Sequence, residues 1–272
     1  MKFPALLAAT AATVLAVPAF AQSQDKADHF NGGYISIVGG KSLQPNDRGE
    51  SLLFGNGTDG QFGDNFIDPS DESVIKPGFC NGAAKGAAEL GCANDKDGAE
   101  YYARLGMDKR SGNFVIGALI EAGRNESRDD VSAFVGDDYV MMSRKAKWNA
   151  GARLRAGYTP GGGALFYVTG GGAYARLKNS FATSRDGAAF TDSGKSNAWG
   201  WSAGGGAEVM LASNLALGLE YLYTDVKNDE YVVRAADGLL DNLGTDAVAV
   251  DMKRSNPNFR THSVRGTLSM RF

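Results

Sequence analysis

The chain has 272 residues, 43% of them hydrophobic and 22% charged, with a formal net charge of -3. This near-neutral balance supplies no clustered basic surface for nucleic acid. Beyond the N-terminus no apolar run reaches the ~18 residues that a helical membrane span needs. Two cysteines and two histidines leave little material for a disulfide-dense scaffold or a metal centre. The unusual count is 37 glycines against 7 prolines, about twice ordinary glycine usage and without a collagen period.

Residues 1–21 read MKFPALLAATAATVLAVPAFA. Lys2 provides a positive start, Ala5 to Val17 a short apolar stretch, Pro18 a break, and Ala19-Phe20-Ala21 a small-x-small cleavage pattern. The expectation is a secretory signal peptide over 1–21 and a mature domain over 22–272, folded where disulfides persist.

Eight segments of the mature chain alternate apolar and polar residues over about ten positions, the signature of membrane barrel strands. They run from Gly32 to Lys41, Glu100 to Arg110, Asn113 to Arg124, Trp148 to Tyr158, Ala164 to Lys178, Ala198 to Leu211, Leu215 to Val226 and Phe259 to Phe272. The fourth is the clearest: Trp148, Ala150, Ala152, Leu154, Ala156 and Tyr158 alternate with Asn149, Gly151, Arg153, Arg155 and Gly157. The fifth is glycine-rich, and its expected facing is Leu165 and Tyr167 outward, Arg176 and Lys178 inward.

A soluble sandwich also alternates. Here, however, aromatic residues bracket the strands, Trp148 and Tyr158 on one and Tyr221 and Tyr223 on another, as in membrane-interface girdles. The gaps decide topology. Ser111-Gly112, Thr159 to Gly163 and Ala212 to Asn214 are tight-turn chemistry. The others are long: Ser42 to Ala99, Asn125 to Ala146, Asn179 to Asn197 and Lys227 to Asn258. Strict alternation of short and long gaps predicts an all-β, eight-stranded antiparallel up-and-down transmembrane β-barrel. Its short turns are periplasmic and its long loops extracellular, with 42–99 as a long first loop. Lipid tolerates no open sheet edge, so the sheet must close.

The runs RLRAGYTPGGGALFYVTGGGAYARLKNS (Arg153 to Ser180) and WGWSAGGGAEVMLASNLALGLEYLYTDV (Trp199 to Val226), with the ending THSVRGTLSMRF, carry a resemblance. They are similar to the small porin-like outer-membrane barrels of alphaproteobacteria, of the opacity or outer membrane immunogenic protein type. The resemblance covers the signal, Gly32 to Lys41 and most of Glu100 to Phe272. The segment Ser42 to Ala99 departs from it. The resemblance implies a monomer in the outer membrane of a Gram-negative bacterium, among its lipids and lipopolysaccharide. It also implies that the terminal aromatic, Phe272, is read by the barrel-assembly machinery. No periplasmic peptidoglycan-binding domain is expected, because the sequence stops at Phe272.

Candidates for chemistry are weak. Gly161 to Gly163, Gly170 to Gly172 and Gly204 to Gly206 lack the Lys-Ser/Thr and helix of a phosphate loop. Glycine in a narrow barrel relieves crowding and lets aromatics pack over it. Cys80 and Cys92 are expected to form a disulfide rather than a catalytic thiol. Acids cluster at Asp64, Asp68, Asp71 and Glu72, at Asp129 and Asp130, at Asp137 and Asp138, and at Asp229 and Glu230. None matches calcium-loop spacing. His262 and Ser263 are adjacent on a strand and so point apart, against a hydrolase pair. An omptin-type protease finds only His29 and His262 to draw on. No catalytic residue, metal or cofactor is expected.

Arg104, Glu121, Arg153, Arg155, Glu208, Glu220, Arg265 and Arg271 all fall on the expected inner face. An eight-stranded barrel has an interior just wide enough for side chains, so these charges are expected to plug the lumen with ion pairs. The expected function is a non-enzymatic surface protein, with barrel as anchor and loops as interaction surface. The alternatives are a narrow porin-like channel for ions or small solutes and, further off, a lipid-modifying enzyme.

Overall fold

The computed structural model describes residues 29–56, 62, 78–135, 138–184, 189–192, 195–228, 230–236 and 249–272. The expected signal peptide and the acids Asp64, Asp68, Asp71, Glu72, Asp137 and Asp229 lie outside these residues. Eight long strands form the frame: β1 (Gly32–Leu43), β2 (Gly98–Ser111), β3 (Phe114–Asn125), β4 (Asp138–Tyr158), β5 (Ala164–Thr183), β6 (Lys195–Ala212), β7 (Leu215–Lys227) and β8 (Asn258–Arg271). Each pairs antiparallel with its neighbour in the chain. β8 pairs β1 from Tyr34–Arg271 to Leu43–His262, which closes the ring. The fold is therefore an eight-stranded antiparallel barrel, and closure leaves its ladder no free edge.

Short turns gather at one end. Gly112, in the β2–β3 turn, has φ 61, a conformation glycine adopts without steric cost. Between these turns and the far end, the outward rows are apolar: Ile37 is 67% exposed, Leu154 70% and Trp199 71%. A belt of this kind on a closed barrel is a lipid-facing surface. About ten residues separate Tyr158 from Trp148, ~33 Å along the strand, and a ~40° tilt reduces this to the ~25 Å of an outer-membrane apolar band.

The inward rows are small or polar. Glycine sits where a lumen aromatic needs room: a Cβ on Gly106 would overlap the Tyr34 ring, and one on Gly206 the Tyr167 ring.

The structure corrects three expectations. On β5 the facing is reversed: Leu165 and Tyr167 are buried in the lumen, Phe166 and Val168 are 54% and 66% exposed, and Arg176 and Lys178 point outward. Glycine-rich sequence carries no side chains to mark a face, so the register is set by the neighbouring strands, and a one-residue shift inverts every position.

Second, β4 starts at Asp138, ten residues before Trp148. Its register with β5 skips between Trp148–Arg176 and Ala146–Leu177, leaving Lys147 as a bulge. The extra residue changes parity, so even-numbered Arg144 and odd-numbered Arg153 point the same way, which hides the alternation.

Third, the long gaps are built. Arg128–Val135 forms a hairpin with the outer end of β4. Leu52–Asn56, Ala189–Asp192, Val233–Ala236 and Ala249–Arg254, drawn from three different gaps, form a separate four-stranded sheet. Leu52, Phe54, Val131, Val140, Met142, Tyr231, Val233 and Met252 pack as its core. The extracellular segments thus make a folded cap rather than independent loops.

A closed barrel with this ladder should resist detergent until heated. Unboiled and boiled samples are expected to migrate differently on a gel, and far-UV circular dichroism to show strand. Identical migration with a helical spectrum would contradict the architecture.

Candidate functional site

The barrel interior is layered. At the short-turn end Phe30, Val115, Leu165 and Tyr167 make an apolar floor. Above it Arg155 of β4 reaches Asp108 of β2 (Nε–Oδ1 2.7 Å) and, across the lumen, Glu208 of β6 (Nη1–Oε1 2.7 Å). Arg271 of β8 donates to the same two acids, at 3.3 Å to Glu208. The Arg155 and Arg271 guanidiniums lie 4.6 Å and 4.8 Å from the Tyr34 ring centre, cation–π contacts that also fill space.

A second ionic layer follows. Glu121 of β3 accepts from Arg104 (2.8 Å), Arg153 (2.9 Å) and Arg265 (2.8 Å). Glu220 of β7 accepts from Arg104 (2.7 Å), Arg153 (3.4 Å) and the Tyr167 hydroxyl (3.0 Å). Glu100 of β2 holds Arg265 at 2.8 Å and accepts the Ser263 hydroxyl at 3.1 Å. β2 and β7 are not neighbours, nor are β4 and β7, so these bonds cross the interior. Among the described residues, five arginines meet five carboxylates here, all with side chains at most 4% exposed.

The eight lumen charges read from the sequence leave out two of these acids, Glu100 and Asp108. Both share the parity of Arg104 on β2, which was the available signal.

Above this layer Ala146, Ala173, Ala175, Leu177, Ala198, Val226 and Phe259 form an apolar stratum. The void between the two, against Tyr102, Asn149, Ser202 and Arg265, is about 30 Å³. That is room for a water or so. Asn149 Oδ1 and Ser202 Oγ, which lack protein partners, face this region.

A third ionic cluster joins barrel to cap. Asp129 accepts from Arg144 (Nη2–Oδ2 2.5 Å) and Arg254 (Nη2–Oδ1 2.6 Å), and Glu50 accepts from Arg254 at 2.6 and 2.7 Å. Arg144 also donates to the carbonyls of Asn256 and Asn258 at 3.1 and 2.9 Å. Asp47, Glu50 and Asp129 come close enough to resemble a metal site. Arg144 and Arg254 already supply the positive charge there, so the cluster is an ion-pair network. Burial lifts the Asp129 carboxyl, but the two guanidiniums outweigh it and hold the group below its usual range.

Asp95 lies beside this network and accepts the Asp130 N–H at 2.8 Å. Burial first, and then the Asp129 charge, push its carboxyl up to about 8. An acid raised on folding binds its proton more tightly in the native state, so stability falls as pH rises between ~4 and ~8. Asp95→Asn keeps the acceptor and removes the charge. It is expected to stabilise the cap at pH 8 and to flatten that pH dependence, measured by hydrogen exchange. An unchanged slope would count against this.

Cys80 and Cys92 are disulfide-bonded across the small Ala83–Ala84 and Cys92–Ala93 ladder in the first long gap. The bridge closes a short loop, worth ~2–3 kcal/mol to that hairpin. Alkylation without reduction is expected to label neither cysteine, and reduction to loosen the hairpin while the barrel stays folded. His262 and Ser263 point apart: His262 Nδ1 is 2.6 Å from the Tyr221 hydroxyl on the outer face, while Ser263 is buried against Glu100. His29 Nδ1 lies 3.1 Å from the Gly162 carbonyl at the opposite end. Phe272 is 69% exposed, and its backbone exchanges hydrogen bonds of 2.9 and 3.0 Å with Gly33, the last rung of the β1–β8 seam.

Comparison with known proteins finds outer-membrane relatives. A stretch of 113 residues is 42% identical to the 31 kDa outer-membrane immunogenic protein of Brucella melitensis biotype 1, covering 41% of this chain and 47% of that one. A 126-residue stretch is 33% identical to the 22 kDa outer membrane protein of Rhizobium leguminosarum bv. viciae, covering 46% and 52%. The chain thus spans about half the length of the curated relatives it matches. The outer membrane protein OprG of Pseudomonas aeruginosa aligns over 92% of this chain and 100% of its own, at 10% identity and a TM-score of 0.49. The outer membrane protease OmpT of Escherichia coli aligns over 89% and 97%, at 11% identity and a TM-score of 0.39. Description of the family as an outer membrane protein beta-barrel domain fits residues 7–272. With nearly the whole sequence matched and the barrel closed, the chain belongs to that family and resides in the outer membrane.

Proposed function

We propose that this is a non-enzymatic surface protein: the barrel anchors it, the lumen is plugged, and the folded cap is the interaction surface. The observation that carries the reading is the cross-lumen pairing of Arg155 with Glu208 and of Arg104 with Glu220. A solute path would need the space those side chains occupy. The adjoining void of about 30 Å³ is far below what a hydrated ion requires. The divergence of His262 and Ser263 supports a role without hydrolysis.

Planar-bilayer recording tests the reading. The wild-type protein is expected to give no steady conductance. A large, steady conductance would instead make it a narrow porin-like channel. Within the same proposal, residues 1–21 are a cleaved signal and Phe272 is the aromatic that the assembly machinery reads. Phe272→Ala is expected to lower the outer-membrane level without blocking export. Normal membrane levels of that variant would remove this role.

A further inference from the structure

The extracellular rim of the barrel is asymmetric in charge. On the strands β1 and β8 themselves the outward cations of the rim are matched: Lys41 pairs with Asp97 at 2.7 Å and Arg260 with Asp225 at 3.1 Å. On β3 to β5 the exposed, outward-facing Arg124, Lys147, Arg176 and Lys178 have no carboxylate partner among the described residues. Glu126 lies two positions beyond Arg124 on the same face and makes no pair with it among the described residues. Lys178 stands opposite Lys145 in the ladder, a like-charge juxtaposition that is unfavourable unless an anion offsets it.

Their height is fixed by register. Arg124 stands opposite Tyr101, and Arg176 opposite Trp148, so the cations sit at the aromatic ring where apolar core gives way to headgroups. Directly below, on the same three strands, the bulky outward row is interrupted. Ala122, Ala150, Ala152 and Gly172 floor a groove of about 850 Å³ between Leu105 and Ile120 on one side and Tyr174 and Trp199 on the other. That volume falls within the ~300–1,000 Å³ of ligand clefts. Small residues there let an apolar chain lie against the backbone.

We propose that Arg124, Lys147, Arg176 and Lys178 hold the phosphates of a phosphorylated outer-leaflet glycolipid, with one of its acyl chains in the groove beneath. Charge complementarity selects the headgroup, and the position of an apolar groove immediately below the cations selects a lipid over a soluble anion. The site faces the membrane and is independent of whether the lumen conducts.

The test uses the full-length protein in detergent, with binding read by native mass spectrometry and by fluorescence of the tryptophans, of which Trp148 and Trp199 flank the site. The probes are bis-phosphorylated lipid A, the same lipid A with both phosphates removed, and inorganic pyrophosphate. The phosphorylated lipid is expected to bind at least tenfold more tightly than the dephosphorylated one. The variant carrying Arg124→Gln, Lys147→Gln, Arg176→Gln and Lys178→Gln is expected to lose that preference. Ala152→Phe, which fills the groove and leaves every charge in place, is expected to weaken both lipids. Equal binding of the two lipids by the wild type, or an unchanged preference in the glutamine variant, would overturn the site. Binding of pyrophosphate as tight as that of the lipid, with Ala152→Phe silent, would reduce it to a general anion patch and overturn the lipid assignment. If the glutamine variant fails to fold, the wild-type comparison and Ala152→Phe still decide.

Discussion

Glu121→Ala is expected to produce the largest loss of barrel stability of any single lumen substitution. One carboxylate there neutralises three guanidiniums, those of Arg104, Arg153 and Arg265. Without it, three cations share Glu220 and Glu100. Removing one partner of a buried ion pair typically costs ~3–5 kcal/mol, because the stranded charge stays desolvated. The protein can lower that cost by admitting water, and water-filled space beside uncompensated arginines is an anion path. The expected outcome is a lower urea midpoint in vesicles together with flickering, anion-selective conductance absent from the wild type. Glu208→Ala with Glu220→Ala extends the logic by taking one of two carboxylates from each of Arg155, Arg271, Arg104 and Arg153, leaving the first two to share Asp108 and the other two to share Glu121. It should destabilise or open the barrel further. A Glu121→Ala protein as stable and as silent as the wild type would mean that the ion pairs are not what fills the lumen.

How far these features could be read from sequence depends on the kind of residue that marks them. Six of the eight barrel strands announce their facing, because bulky apolar residues alternate with Arg, Glu or Ser, as at Leu154–Arg155 or Leu219–Glu220; β1 does not, since Tyr34 and Val38 point inward and Ile35 and Ile37 outward. The fifth fails where Gly170 to Gly172 remove the side chains that would show parity. The outer end of β4 is obscured by the bulge at Lys147, which moves the inward positions from odd to even numbers. Glu100 and Asp108 were visible by parity, yet an acid near a strand end is ordinarily solvated. Their burial depends on Arg265 and Arg271, more than 150 residues away in the chain. The cap is the least readable part. Its sheet combines four- to six-residue strands from three gaps. No local period distinguishes such strands from loop, since each gains its stability from non-local pairing and the shared apolar core.

That cap depends on Asp129, and Asp129→Ala is expected to release it from the barrel. Asp129 binds Arg144, on the barrel's own β4, and Arg254, on the cap strand Ala249–Arg254, and its backbone carbonyl accepts a further bond from Arg254 at 3.2 Å. After truncation Arg144 retains Glu50 at 3.7 Å and two backbone carbonyls, a poor substitute for a buried cation. A penalty of ~3–5 kcal/mol is again the scale, and it falls on a small sheet whose apolar core has little to spare. The expected result is at least tenfold faster hydrogen exchange at Met252 and Lys253, which pair with Phe54 and Leu53, and faster protease cleavage of the cap on intact cells. The barrel should keep its heat-dependent gel mobility. The pH dependence follows from the depressed Asp129 carboxyl: its stabilisation is complete above the unfolded value near ~4 and is lost only as pH falls through the lower folded value. Asp129's own contribution to holding the cap therefore persists at pH 5 and fails in stronger acid, and the Asp129→Ala protein lacks that contribution throughout. Unchanged exchange at Met252 in the variant would show that the apolar core alone holds the cap. Loss of the barrel along with it would show that the two fold as one cooperative unit.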